Sequence, residues 1–417
     1  MSPRRVAVIG AGAAGTMAAI FAADRGAQVT LLERTRDGGR KILISGGGRC
    51  NILPARLDES RFVTDSSPHT LKNILRSWPL AAQVEFFEKD LGLPLVEEAD
   101  SAKLFPASNR ARDVRDRLLD RARGSGARPL FGTAVTGLAP TGGRWLVETG
   151  NGAGEFDAVV VASGGLSVPT TGSDGWGLTI LQRLGHAIHP PYPALTPITC
   201  HPPPFADLSG VSLTVTVTAH DPASARRASA TGGFLFTHRG YSGPAVLDVS
   251  HVLVRARAEG RLDARLAVQW APLGAMDWEE RLSVSGLRTV LNLVRRELPD
   301  RLAERLVALA EVEPGRTLAQ LRREERHRLV KVLTGFELPW TGDEGYRKAE
   351  VTGGGVSLAA IDPRTMESRL HPGLFLCGEV LDAFGPIGGY NFLWAWVTGR
   401  AAGLGAAAAP ANGPITQ

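Results

Sequence analysis

Three glycines and one acid carry the first chemical signal. Gly10, Gly12 and Gly15 follow the apolar run Val6-Ala7-Val8-Ile9 and lead, with Ala13 and Ala14 between them, into an alanine-rich segment. Glu33 closes a second apolar run, Gln28-Val29-Thr30-Leu31-Leu32, and Arg34 follows it. Glycines so spaced between a strand and a helix serve a diphosphate. The first permits a tight turn, the second lets backbone approach the anion, and the third lets the helix pack on its strand with its amides facing the charge. An acid at the end of the second strand is placed to accept hydrogen bonds from a ribose diol. The spacing predicts a dinucleotide site made by Gly10, Gly12, Ala13, Ala14, Gly15, Glu33 and Arg34.

A second segment has no obvious use in a plain pyridine-nucleotide dehydrogenase. Between two glycine clusters, Gly38-Gly39 and Gly46-Gly47-Gly48, lie the cations Arg40 and Lys41 and the run Ile42-Leu43-Ile44-Ser45; Arg49, Cys50 and Asn51 close it. Its backbone amides and cationic side chains suit phosphates or the edge of a flavin ring. Arg40, Lys41, Ser45, Gly46, Gly48 and Asn51 are therefore candidate cofactor contacts.

The stretch Gly39 to Asn51 resembles the signature of the bacterial aminoacetone-oxidase-like flavoproteins, NAD(P)/FAD-dependent oxidoreductases that are similar to a bile-acid dienone reductase. The resemblance implies FAD. It extends to Ala162-Ser163-Gly164-Gly165, similar to the second glycine motif of the two-dinucleotide-binding-domain flavoproteins, and to Leu166 through Gly175. By the same resemblance the backbone near Val135 takes the adenine, and Gly378-Glu379 binds the ribityl hydroxyls. Gly388-Gly389-Tyr390-Asn391 opens a helix whose free amides point at the pyrimidine edge of the flavin. A helix N-terminus carries roughly half a positive charge, which favours the anionic reduced ring.

The chemistry expected is hydride transfer through flavin N5 to or from a small organic substrate bound between the FAD domain and an inserted domain, with the protein positioning that substrate and excluding water. Tyr390, Asn391, Arg49, His238 and Tyr241 are the catalytic candidates by expected location. Only one glycine motif is coupled to a strand in this way, so NAD(P)H, if it is the reductant, docks transiently. An oxidase of a small amine using oxygen and a non-catalytic flavin-binding regulator are the alternatives. Cys50 and Cys377 sit in cofactor motifs but have no partner thiol, which favours inert packing.

The elements that must position these residues follow from hydrophobic pattern. The fold class expected is α/β: a Rossmann-like FAD-binding domain, three-layered with a parallel sheet, built from both chain ends. Residues 1–190 form its first part and 350–405 its second. A proline cluster from Pro190 to Pro204 marks the crossing into a β-rich insertion, 191–278, a small barrel or sandwich; Leu213 to Ala219 alternates there as a half-buried strand. Residues 279–349 read as a helical cap, with Leu287, Val290, Leu291 and Val294 at helical spacing and Thr317 with Gln320 as a capping box. Residues 68 to 130 read as helices interrupted by a polar loop, Lys103 to Ser108, and Phe131 to Leu138 as a strand. Residues 406–417 are expected to form a disordered tail.

Composition narrows the class. With 417 residues, 43% hydrophobic and 21% charged, the chain has ample core for two or three units of a soluble protein. A net charge of +5 is modest and scattered, with no aromatic-interleaved basic stripe, so no nucleic-acid partner is expected. The run Arg322 to Arg328 is interleaved with acids and reads as an exposed helix face. Three distant cysteines argue for a reducing compartment and against a metal site. Arg4 and Arg5 before an apolar run imitate a leader, but cleavage would destroy the glycine turn. No apolar run spans a bilayer, so a cytoplasmic protein without membrane partners is expected.

Overall fold

The computed structural model describes residues 2–99 and 101–408, in two compact units: residues 1–191 with 351–417, and residues 192–350. The first is organised on five parallel strands, β1 (Arg5–Ile9), β2 (Gln28–Leu32), β3 (Arg128–Leu130), β4 (Ala158–Val161) and β5 (Leu374–Leu376), in the order β3-β2-β1-β4-β5. Val8 stands in register with Leu31 on one side and Val160 on the other. Val6 to Val8 and all of β4 and β5 are buried, as a parallel sheet covered on both faces requires. The order reverses between β1 and β4, the place where open α/β sheets bind ligands at their carboxyl ends.

Two long helices cover one part of this sheet: α1 (Ala13–Asp24) and α2 (Tyr390–Ala407). Their small residues allow unusual closeness. A Cβ on Gly399 would come 2.3 Å from the Ala14 carbonyl oxygen, and one on Gly403 2.3 Å from that of Ala18. Four residues along α2 thus match four along α1, so the helices run parallel. Gly399 is nine residues into α2 and Ala14 one into α1; the difference, at a rise of about 1.5 Å per residue, places the start of α2 about 12 Å beyond the start of α1.

Some elements differ from the sequence pattern. The expected strand 131–138 begins only at Val135, where Val135–Thr141 starts a separate antiparallel sheet with Arg144–Thr149 and Gly152–Phe156; Gly132 turns with φ +67°, and β3 lies just before it, at the end of the stretch expected to be helical. The expected loop at Lys103 is a strand, Lys103–Pro106, drawn straight by its neighbours Leu53–Pro54 and Leu95–Glu98. Ala406 to Ala408 continue or close α2, with Ala406 buried, while the remainder of the expected tail, 409–417, lies outside the described residues.

The second unit holds a seven-stranded antiparallel sheet whose longest pair is Ser212–Asp221 with Arg226–Thr237. Val215, Val217 and Ala219 are buried, and the threonines alternating with them bond across the strands, Thr216 to Thr231 at 2.8 Å and Thr218 to Ser229 at 3.0 Å. Helices Pro244–Ala258, Ala275–Ser283, Val290–Val294, Asp300–Leu309 and Arg323–Gly335 complete it. Leu287 does not join the helical face expected of it. It is 93% exposed, because Thr289 caps the helix through the Asn292 amide and the helix starts at Val290. The basic run 322–328 is tied to acids, Arg326 to Glu279 at 2.8 Å and Arg328 to Glu311 at 3.6 Å.

Candidate functional site

At the carboxyl end of β1, Gly10 has φ +104°, and a Cβ there would lie 2.5 Å from the Ala162 oxygen at the end of β4. Gly15 is equally constrained, since its Cβ would meet the Gly10 oxygen at 1.8 Å. Gly12 differs. A Cβ there meets nothing within 4 Å, so the fold itself does not need glycine at that position; the open space is what a closely approaching diphosphate would use. No acid stands in the first turn of α1 and no side chain caps it, which leaves the amides of Ala13, Ala14 and Gly15 without acceptors inside the helix. Glu33, nearly buried, reaches back to this turn: one carboxylate oxygen accepts from the Ala11 amide at 2.8 Å, the other from the Thr35 amide at 2.8 Å and hydroxyl at 2.7 Å. Arg34 pairs with Asp174.

The segment after Gly38 runs from this turn to the start of α2. The Gly39 amide donates to the Ala11 oxygen at 2.8 Å, and Arg40 pairs with Asp37 at 2.7 Å. Ser45 donates its hydroxyl to the Ile42 oxygen at 2.8 Å. Gly46, Gly47 and Gly48 follow in left-handed conformation, φ +55°, +68° and +84°, with open space where a Cβ of Gly47 would stand. Successive amides in such turns can line a concave cradle suited to an anion. Asn51 closes the segment: with its amide oriented to satisfy both ends, the oxygen accepts from the Gly389 amide at 3.1 Å and the nitrogen donates to the Leu53 oxygen at 3.2 Å. Arg49 pairs with Glu98 at 2.9 Å and lies over the Phe105 ring.

Glu379, just after β5, is the hub of a half-buried polar network. One carboxylate oxygen accepts from the Thr352 amide at 2.9 Å and the Ser167 hydroxyl at 2.5 Å; the other pairs with Lys41, whose ammonium also meets Ser167 at 2.6 Å. Burial alone would raise the Glu379 pKa, but the Lys41 charge and these hydrogen bonds outweigh it and hold the carboxyl below its ordinary value. Gly165 makes room for the network, since a Cβ there would lie 2.4 Å from the Thr352 hydroxyl. Ser167 and Thr352 are not identifiable from sequence: the first lay in a noted motif, but only the fold brings it to Glu379.

Of the remaining candidates, Ala162, Ser163 and Gly164 follow β4 beside Gly10, and Gly164 has φ +74°. Gly378, φ +77°, takes a hydrogen bond from the Trp394 indole at 3.1 Å and gives one to Thr398 at 3.0 Å, fixing the end of β5 on α2. Gly388 and Gly389, φ +114° and +89°, lead into α2, and Gly389 packs so tightly on Leu53 that its Cβ would stand 2.4 Å from the Leu53 carbonyl carbon. Tyr390 is buried against Phe62 with its hydroxyl between the Arg56 oxygen and the Asp58 amide, 3.3 Å each. Asn391 is occupied by the Gly385 backbone, 2.9 Å in both directions. Val135 is half-buried at the start of its antiparallel strand. In the second unit His238 is exposed in a turn. Tyr241 belongs to the core there: it is 1% exposed, packed among Phe205, Phe234 and Phe236, with its hydroxyl on the Pro339 oxygen at 3.0 Å, and burial pushes its pKa up. Cys50 and Cys377 are buried, and burial pushes the Cys50 thiol to about 12 and Cys377 higher than its ordinary value.

These residues fit a flavin dinucleotide. Two helix N-termini without acids in their first turns, about 12 Å apart along their common direction, are joined by a glycine cradle bearing Lys41. The protein is thus a Rossmann-type oxidoreductase of the FAD-binding class. Residues 4–405 match the model of the HI0933-like protein Rossmann domain, and the chain belongs to that family. It is 32% identical over 404 residues to a ribosomal RNA dihydrouridine synthase of Escherichia coli, covering 93% of this chain and 94% of the relative. It is 30% identical over 415 residues to a 3-dehydro-bile acid delta(4,6)-reductase of Clostridium scindens, covering 97% and 100%. A ribosomal RNA dihydrouridine synthase of Haemophilus influenzae is 31% identical over 413 residues, covering 95% and 97%. Among the described residues no helix is long and apolar enough to cross a membrane, and no three His, Cys, Asp or Glu gather as metal ligands.

Proposed function

We propose that this protein is an FAD-dependent reductase of a carbon–carbon double bond conjugated to a carbonyl group, in a small organic substrate. The observation that carries the flavin reading is the pair of parallel helix ends, α1 and α2, linked by the 38–51 cradle. The substrate class rests on what the relatives' names have in common. A bile-acid delta(4,6)-reductase and a dihydrouridine synthase both saturate a double bond in conjugation with a carbonyl.

In this reading Gly12, Ala13, Ala14 and Gly15 hold the diphosphate, Glu33 the ribose, Val135 the adenine end, and Glu379 with Lys41 the ribityl chain. Arg34, Arg40, Ser45, Gly46, Gly48 and Asn51 complete the cradle, and Gly388, Gly389, Tyr390 and Asn391 shape the α2 terminus. Bound FAD supplies hydride chemistry at N5. A nicotinamide cofactor docks transiently to reduce it. RNA uridine is the second substrate reading, favoured by two of the relatives' names; the pairing of the basic run with acids favours the small molecule.

The test is direct. Purified protein should show flavin absorbance, bleach anaerobically with NADH or NADPH, and recover its colour with cyclohex-2-enone. A colourless protein that takes up no FAD overturns the reading. Recovery only with uridine-containing RNA, lost in high salt, replaces the small substrate with nucleic acid.

A further inference from the structure

A polar cluster in the first unit is left unused by the cradle. Asp382, 2% exposed, follows Glu379 by three residues on the way to Gly388. Its Oδ2 accepts from the amides of Asp65 and Ser66 at 2.9 Å each and the Ser66 hydroxyl at 2.8 Å, while the Thr64 hydroxyl donates to the Asp382 backbone oxygen at 2.6 Å. His189 Nε2 lies 3.6 Å from the same oxygen and 3.4 Å from Ser66 Oγ. Ser66 has one proton, given to Asp382, and already accepts from the Leu358 amide at 3.0 Å. The ring nitrogen facing these two acceptors therefore carries the N–H.

With Nε2 so placed, Nδ1 makes no hydrogen bond among the described residues, on a side chain 30% exposed. Carboxylate and hydroxyl share one ring nitrogen and the serine proton is committed, so this is no hydrolase triad. An imidazole anchored by a buried carboxylate with its other nitrogen open is suited to moving a proton. The His189 backbone runs beside the strand Val351–Val356: a Cβ on Gly354 would come 2.9 Å from the His189 carbonyl oxygen, and Thr352, two residues from Gly354 and so about 7 Å along that strand, gives its amide to Glu379.

Resting on the reductase reading above, we propose that His189, held by Asp382 and Ser66, is the proton donor of the reaction. As the β-carbon of the conjugated substrate receives the hydride supplied by reduced FAD, the π bond breaks and the α-carbon takes a proton from Nδ1 of the imidazolium. Two C–H bonds form, FAD is left oxidised, and the neutral imidazole regains its proton from water. The charged group shown against His189 is Asp382.

The holoprotein, His189→Gln and Asp382→Asn provide the test, with His189→Asn as a second variant should the glutamine protein melt early. The first readout needs no substrate. The FAD midpoint potential between pH 5 and 9 should show an inflection in the wild type that is absent without His189; identical profiles overturn the proposal. The second uses reduced holoprotein and cyclohex-2-enone in D2O. Deuterium should enter the α-carbon, at a rate that falls as pH rises, since only the protonated ring can donate. His189→Gln should slow flavin reoxidation at least about 100-fold and abolish that limb. Asp382→Asn should slow it less, because the imidazole loses the buried carboxylate beside it. An unchanged rate in His189→Gln overturns the proposal. Wild-type protein that shows the inflection but is not reoxidised by the enone overturns the reductase reading, while His189 stands as the proton partner of the flavin.

Discussion

Gly399 and Ala14 bring α2 and α1 together with no side chain between them, a Cβ on Gly399 lying 2.3 Å from the Ala14 oxygen. Any larger residue must force the helices apart, and both carry a terminus of the cradle. Gly399→Val should cost about 1–3 kcal/mol of stability and weaken FAD binding by at least about tenfold. Thermal melting and flavin titration check the two effects.

Gly12 and Gly15 should separate ligand need from fold need. Gly12→Ala meets open space at an ordinary φ of −78°, so apoprotein stability should change by less than about 0.5 kcal/mol while FAD affinity falls at least about tenfold. Gly15→Ala drives a methyl into the Gly10 oxygen at 1.8 Å and should destabilise the apoprotein itself. Equal melting temperatures for the two variants would refute the distinction.

Lys41→Met leaves the Glu379 carboxylate in its pocket without a counter-ion. The loss expected is on the order of 3 kcal/mol, and Glu379→Gln in the same background should recover part of it. The Glu379 pKa is lowered in the fold, so its contribution is present above its unfolded value and is lost as acid titrates it through the folded value. Denaturant unfolding of Glu379→Gln should accordingly show a weaker decline below about pH 4.3 than the wild type.

Two buried histidines give an acid sensitivity of opposite chemical origin. His186 stands between the Leu181 oxygen at 3.2 Å and the Ser368 hydroxyl at 2.8 Å, and that hydroxyl accepts the amides of Leu370 and His371 at 3.1 Å each. Burial, with His371 nearby, lowers its pKa; burial lowers His251 in the second unit to about 4. The folded state binds fewer protons, so stability is full above about pH 6.5 and declines as pH falls from there toward the folded values. Urea midpoints at pH 7.5 and 4.5 should differ, and the difference should shrink in His186→Asn and His251→Gln.

Cys50 and Cys377 should resist alkylation in the native protein, since both thiols are buried and hold their protons. Reaction with a thiol reagent at pH 8, rapid only after denaturant is added, checks this.

What was legible in the sequence is what depends on neighbours in the chain. The glycine turn, Glu33 and the strands β1, β2, β4 and β5 follow from local backbone demands and apolar runs, whereas β3, Arg128-Pro129-Leu130, carries no such run and is a strand because it pairs with β2. The long-range part was hidden. Ser167 and Thr352 matter because folding carries two ordinary hydroxyl residues to Glu379. Lys103–Pro106 is a strand because Leu53–Pro54 and Leu95–Glu98 pair with it, which no local pattern encodes. Tyr241, a catalytic candidate by its polar turn, is turned into the core by its strand register opposite Phe236. At Leu287 the apolar spacing runs past the cap at Thr289, so periodicity overran the real helix start.

The first unit is written in two pieces, with residues 192–350 intervening. While a ribosome is still translating that excursion, β4 has an unclaimed edge and the alanine flank of α1 has no cover. Cofactor uptake must then be a late event in biogenesis, after β5 and α2 have emerged. Truncations made before residue 374 should yield chains that chaperones retain and that never turn yellow.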